Sequence, residues 1–271
     1  MSGLVSVIVP TRNSADTIGP CLESIRRQTH PEVELIVVDN SSSDGTKQIA
    51  ARFADAVLDK GPERSAQRNA GASVASGAHL MFIDSDMNLE QGVVAECVEL
   101  ADEGHAAVVI PETSFGSGYW ARCKALERSC YLGDETIEAA RFFTRDTFEA
   151  VGGYDESIPY GPEDWDIHAR VRASGGRVGR TRSMIHHDEG RLGLGETVAT
   201  KYYYGKATEQ YIRKHGALAR QQLTVLRPAF FRQWRRLASD PVAAAGMLFM
   251  KACELAAGAA GLIAARLRSS G

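Results

Sequence analysis

The segment Phe82-Ile83-Asp84-Ser85-Asp86 runs from apolar residues into two carboxylates one residue apart. Like charges at that spacing repel. The pair is either a solvated strand end, where aspartate is a common turn residue, or a site where a third group neutralises both. A second acidic pair, Glu163-Asp164, opens the stretch GPEDWDIHARVRASGG. Pro162 suits a first helical turn, the acids sit at the positive end of the helix, and Gly175-Gly176 stops it. Such acids satisfy the helix dipole, at about 0.3–1 kcal/mol each, or take a proton from a hydroxyl in general base catalysis. His186-His187 follow; imidazole can ligate a metal, but a lone histidine is more often a surface or core residue than a ligand.

The elements that must position these groups are legible in the apolar pattern. Residues 4–9, 33–38 and 80–83 are short Val/Ile-rich runs without alternation, which suits strands buried on both faces of a parallel sheet. Helical periodicity lies between them, over 15–28, 46–53 and 64–76. Strand alternating with helix predicts a doubly wound α/β sheet, whose ligands bind beyond the carboxyl ends of the strands. Those ends are Pro10-Thr11-Arg12-Asn13, Asp39-Asn40 and Asp84-Ser85-Asp86, so polar groups from three loops converge on one edge. Downstream, 106–110 reads as a strand, 119–131 and 148–154 as helices, 161–176 as the acidic-capped helix, and 197–215 as a long helix carrying Tyr202, Tyr203 and Tyr204.

The chain has 271 residues, 44% apolar and 24% charged, with a net charge of -3. Length suits one large or two small domains. The absence of a basic excess argues against a nucleic-acid partner. Five cysteines without metal-type spacing predict reduced thiols and a cytoplasmic protein, and MSGLVSVIVP lacks the marks of a signal peptide. The tail differs in character. Residues 227–236 are basic and aromatic, and 241–265 are rich in Ala, Leu, Met and Gly. Lys251 and Glu254 interrupt what would otherwise approach the roughly 20 apolar residues of a membrane span. They share a helical face with Gly258 and Gly261. The expectation is a helix lying along a membrane surface with its Leu248, Phe249, Leu255 and Leu262 side in lipid. The competing expectation is a helix packed on the domain or on a second subunit.

Six segments in order carry a family resemblance: VSVIVPTRN (5–13), ELIVVDNSSSDGT (34–46), RSAQRNAGASVASG (64–77), LMFIDSD (80–86), VGGYDES (151–157) and GPEDWDIHAR (161–170). They resemble the family 2 glycosyltransferases over residues 4–190. The resemblance implies a GT-A type, Rossmann-like nucleotide-sugar-binding α/β domain with a mixed central sheet, to which the tail adds a C-terminal helical extension. It also implies a nucleotide-sugar donor and a divalent metal, Mg²⁺ or Mn²⁺. The ion would bridge the acidic pair to the donor diphosphate and stabilise the departing nucleoside diphosphate. By the resemblance Asp86 is the direct metal ligand, Asp84 sits nearer the ribose or a metal-bound water, and His187, rather than His186, aligns with a third ligand. Asp39 accepts the ring N–H of the base, which favours UDP-, dTDP- or GDP-linked sugars. Pro10, Thr11, Asn13 and Ser85 border the donor. Arg68 lies near the base or diphosphate, with Arg64 a weaker candidate or a solvated helix residue. Arg141 meets a phosphate or is a strand-edge arginine. Asp164 is the catalytic base, and Glu163 binds the acceptor or orients the pair.

The expected organisation is a transferase domain over 1–215, with a nucleotide-binding half (1–105) and an acceptor-binding half (106–215). A helical tail follows over 216–271, making peripheral membrane or homodimer contacts. The expected function is metal-dependent, inverting sugar transfer to an acceptor hydroxyl, lipid-linked in the leading reading. A soluble acceptor, a non-catalytic nucleotide-sugar-binding module and, more weakly, a nucleotidyltransferase are the alternatives. A pure binder has no use for Asp164, and VIVPTRNSAD lacks the glycine-rich phosphate loop of nucleotidyltransferases.

Overall fold

The computed structural model describes residues 3–158, 161–222 and 227–269. In chain order the first elements are β1 (Val5–Thr11), α1 (Ile18–Arg26), β2 (Val33–Asp39), α2 (Thr46–Ala50), β3 (Ala56–Asp59), α3 (Arg64–Val74) and β4 (His79–Phe82). Next come β5 (Met87–Leu89), α4 (Val93–Asp102), β6 (Ala107–Val109), β7 (Glu112–Ser117), α5 (Tyr119–Cys130), β8 (Ala140–Thr144), α6 (Arg145–Ala150) and α7 (Glu163–Ala173). The chain ends with β9 (Val178–Arg180), β10 (Ile185–Arg191), α8 (Leu194–Gln222), α9 (Pro228–Arg232), α10 (Trp234–Ser239) and α11 (Pro241–Ser269). Two compact units result. One comprises Met1–Pro111, Ala139–Pro159 and Glu163–Asp188, and the other Glu112–Glu138, Tyr160–Pro162 and Glu189–Gly271. The division does not fall at residue 215. The second unit takes α5 from the middle of the chain because α5 and α8 both pack on α11. Residues 223–226 and 270–271 of the expected tail lie outside the described residues.

The first unit is built on a seven-stranded sheet in the order β3-β2-β1-β4-β8-β6-β9. The strands from β3 to β4 are parallel, β8 is antiparallel to both neighbours, and β9 is parallel to β6. The mixed sheet anticipated above is thus present. Alternate side chains of β1 and β2 feed two cores. Val5, Val7, Val9, Leu35 and Val37 pack with Ile18, Leu22 and Ile25 of α1 on one face. Ile8, Ile36 and Val38 pack with Ala72, Ile167 and Val171 on the other. Burial on both faces is why these strands read as unbroken apolar runs, and each such residue contributes about 1.5–3 kcal/mol. Gly71 lets α3 lie close on β1, since a Cβ there would collide with the Ile8 side chain.

Parallel register aligns Thr11 with Asp39, and Ile8 with Phe82. The carboxyl ends of β1, β2 and β4 therefore share one edge. Strand β10, not read from the sequence, runs antiparallel to β5 and sets His187 opposite Met87.

In the second unit, α11 turns its polar side inward. Lys251 pairs with Glu127 of α5, and Lys124 bridges Glu127 (2.9 Å) and Glu254 (3.2 Å). Gly258 and Gly261 meet Gly205 and Tyr202 of α8 at backbone contact. Val242, Leu248, Phe249, Ile263 and Leu267 are exposed along the opposite side. Leu255 and Leu262 are half-buried. By length and composition, Pro241–Leu267 alone among the described helices could cross a membrane.

Candidate active site

Three carboxylates and three arginines gather where the strands of the first unit end. Arg68 projects from α3 and is fully buried, at 0% exposure. Its Nη1 donates to Asp164 Oδ1 at 2.8 Å and to Glu163 Oε1 at 3.4 Å, and its Nη2 donates to Asp84 Oδ1 at 2.8 Å. Arg141 Nη1 of β8 lies 3.6 Å from Asp84 and 3.8 Å from Asp164, and Arg64 lies 3.9 Å from Asp84 and Glu163. Burial opposes ionisation of Asp84, yet Arg68, Arg141 and Arg64 outweigh it and hold the carboxyl well below its usual range. Glu163 shows the opposite balance. Burial, then the adjacent Asp164, pushes its carboxyl up. Its Oε2 is buried without a hydrogen-bond partner.

Arg68, expected near the base or diphosphate, is enclosed by carboxylates. Glu163 is 2% exposed, which suits orienting the pair better than binding the acceptor, and the Asp164 side chain is 19% exposed. Asp84, expected nearer the ribose or a metal-bound water, faces the arginines.

Asp86 stands apart from that cluster with His187. Their Oδ2 and Nε2 lie 3.2 Å apart, and the Asp188 amide donates to the Asp86 carbonyl at 2.8 Å, fixing β10 beside the acidic loop. His186 points elsewhere, to Glu90 at 3.2 Å. Among the described residues no group of three His, Cys, Asp or Glu side chains is gathered for a metal. Asp86 Oδ1 is nonetheless buried with no hydrogen-bond partner, an unmet acceptor beside an imidazole. That pair fits a hard divalent ion that completes its shell with non-protein oxygens.

The other expected donor residues line the β1 and β2 ends. Pro10 and Thr11 are buried in β1, and the Thr11 carbonyl accepts from the Asn40 amide at 2.9 Å. Asn13 has φ +48° and its Oδ1 accepts from the Ser43 amide at 2.9 Å, tying the first loop to the second. Ser85 donates to Ser14 Oγ at 2.9 Å. Asp39 is fully buried and both its oxygens accept from Ser42, at 2.8 Å from the amide and 2.5 Å from the hydroxyl. Those bonds also shape the 40–45 loop at the end of β2. Sequence reasoning missed Tyr154, whose hydroxyl donates to Asp164 Oδ1 at 3.3 Å. The signal was the Gly152-Gly153 pair before it, both with positive φ.

The pattern described as "Glycosyl transferase family 2" matches residues 6–154, and that described as "N-terminal domain of galactosyltransferase" matches 135–189. Glycosyltransferase AglE of Haloferax volcanii is 42% identical over 103 residues, 33% of this chain and 34% of that protein. The PGL/p-HBAD biosynthesis glycosyltransferase of Mycobacterium bovis is 27% identical over 216 residues, 74% of this chain and 82% of that one. The match thus spans about a third of the first relative's length and most of the second's. The mannosyltransferase PcManGT from Pyrobaculum calidifontis, in complex with GDP-Man and Mn²⁺, superposes with a TM-score of 0.65 at 20% identity, covering 97% of this chain and 88% of that one. TarS residues 1–349 from S. aureus, in complex with UDP-GlcNAc, gives 0.54 at 18% identity, covering 98% and 92%. These likenesses extend the shared fold over nearly the whole chain.

Proposed function

The chain belongs to glycosyl transferase family 2 and is a glycosyltransferase of GT-A fold, and from that premise we propose that it moves a sugar from a UDP-, GDP- or dTDP-linked donor to an acceptor hydroxyl with inversion at the anomeric carbon. The observation that carries this reading is Asp164, a partly exposed carboxylate on the first turn of α7 at the edge of the arginine–carboxylate cluster. Asp164 takes the acceptor proton as the hydroxyl oxygen bonds to the anomeric carbon. The bond from that carbon to the diphosphate oxygen breaks, and its electron pair leaves with the nucleoside diphosphate. Asp86 and His187 are the residues that would hold Mg²⁺ or Mn²⁺. Such an ion, when bound, neutralises charge on the leaving diphosphate. The Mn²⁺ in the PcManGT complex supports that choice. Asp164→Asn should still bind the donor but lose transfer, since an amide cannot accept the proton. NMR of the first product of the wild type should show the inverted anomer. A retained configuration would overturn single displacement.

We also propose that the acceptor is presented at an anionic lipid surface on the cytoplasmic side of a membrane, with the second unit in contact. In water a surface helix turns its polar side outward; α11 does the reverse. Lys251 and Glu254 are paired inward, and the side carrying Val242, Leu248, Phe249 and Ile263 is exposed and apolar. The α9–α10 segment adds exposed Phe231 and Trp234 among Arg227, Arg232, Arg235 and Arg236, a composition suited to headgroups.

A further inference from the structure

Three consecutive residues of α3 each tie down a different part of the site. Gln67 Nε2 donates to the carbonyls of Thr11 (3.1 Å) and Val38 (2.6 Å), where β1 and β2 end. Arg68 grips Asp84 after β4 and Asp164 at the start of α7, both at 2.8 Å. Asn69 clamps the backbone of Tyr154, its Oδ1 accepting from the amide and its Nδ2 donating to the carbonyl, both at 2.9 Å. Tyr154 is buried at 2% exposure. Its ring centre lies 4.9 Å from the Arg68 guanidinium carbon, and its hydroxyl reaches the same Asp164 oxygen that Arg68 holds. Successive helical side chains point about 100° apart, so one turn can reach several loops.

Resting on the reading of Asp164 as the base, we infer that Arg68 and Tyr154 are positioning residues that fix Asp164 against Asp84. Both are buried beyond the reach of substrate. A guanidinium fork can grip two carboxylates at a set separation, which a point-charge ammonium cannot. The ring of Tyr154 confines that fork, and Asn69 confines the ring. Both donors land on Oδ1 of Asp164, and Oδ2, with Arg141 Nη1 3.8 Å away, takes the incoming proton. The charged and titratable groups facing Asp164 are Arg68 from α3, Arg141 from β8, Tyr154, and Glu163 beside it.

The test follows Mn²⁺-supported hydrolysis, by the full-length protein, of the nucleotide sugar that most stabilises it. We expect kcat to fall about 3-fold in Tyr154→Phe and about 100-fold in Arg68→Lys, with donor KM within about 2-fold. Tyr154→Phe keeps the ring, so it carries the test if Arg68→Lys does not fold. A kcat unchanged in a folded variant, or a loss that appears in donor KM instead of kcat, would overturn the inference. Slowed Arg68 and Tyr154 variants beside a fully active Asp164→Asn protein would overturn the assignment of the base.

Discussion

Asp84 and Glu163 contact the same guanidinium yet respond oppositely to their surroundings. Asp84 is held below its usual range, so its contribution to stability is full above about pH 3.9 and is lost as pH falls. Glu163 is held above its usual range, so its contribution is full below about pH 4.3 and is lost as pH rises through the raised value. Glu163→Gln removes that loss. We expect its melting temperature, relative to wild type, to climb between about pH 4 and pH 7. A difference that stays flat over this range would show that Glu163 is not protonated more readily in the folded state. The acidic residues of the site were legible because carboxylates at strand ends and at a helix start are unusual. Their partners were not, because a helix pattern does not reveal that Arg68 is buried or that it reaches residues 16 and 96 positions away.

Elements were legible in proportion to how fully they are buried. β1, β2, β4 and β6 declare themselves as apolar runs, while β5 and β9 are three residues long and carry too little pattern. β10 reads IHHDEGR because part of it lines the acidic loop instead of a core. The α11 helix was visible in outline, but the side it would bury was not. Its Lys251/Glu254 side was expected to face polar surroundings, and those surroundings are the charged side chains of α5. Packing of α11 on α8 depends on glycine. A Cβ on Gly261 would strike the Tyr202 carbonyl, and one on Gly195 meets nothing within 4 Å. Gly261→Ala should therefore destabilise the protein by about 1–3 kcal/mol, and Gly195→Ala should leave stability unchanged or slightly raised. Chemical denaturation compares the two. Equal behaviour would mean that the α8–α11 contact contributes nothing.

At the scale of the whole molecule, a net charge of -3 coexists with four arginines and no acidic residue across 227–239. That uneven distribution allows attraction to an anionic surface without a basic protein. Wild type should float with vesicles containing phosphatidylserine, less so as salt rises. The full chain carrying Phe249→Glu and Phe231→Glu should remain in the pellet fraction. Cutting away the tail is the poorer experiment, because α11 packs against α5 and α8. Protein that never floats but gains mass with concentration would identify the exposed side as a dimer contact. The central claim, a nucleotide-sugar site whose donor is held through a metal on Asp86, is tested most directly by thermal stabilisation. Wild type and Asp86→Ala are melted with UDP-, GDP- and dTDP-sugars, each with and without Mn²⁺. A donor at 100 times its Kd contributes about 2.7 kcal/mol, or roughly 5–10 °C in a chain of this size. We expect one nucleotide class to give that shift in wild type only with Mn²⁺, and the shift to vanish in Asp86→Ala. Stabilisation that ignores both the metal and the substitution, or no stabilisation by any donor, would contradict it.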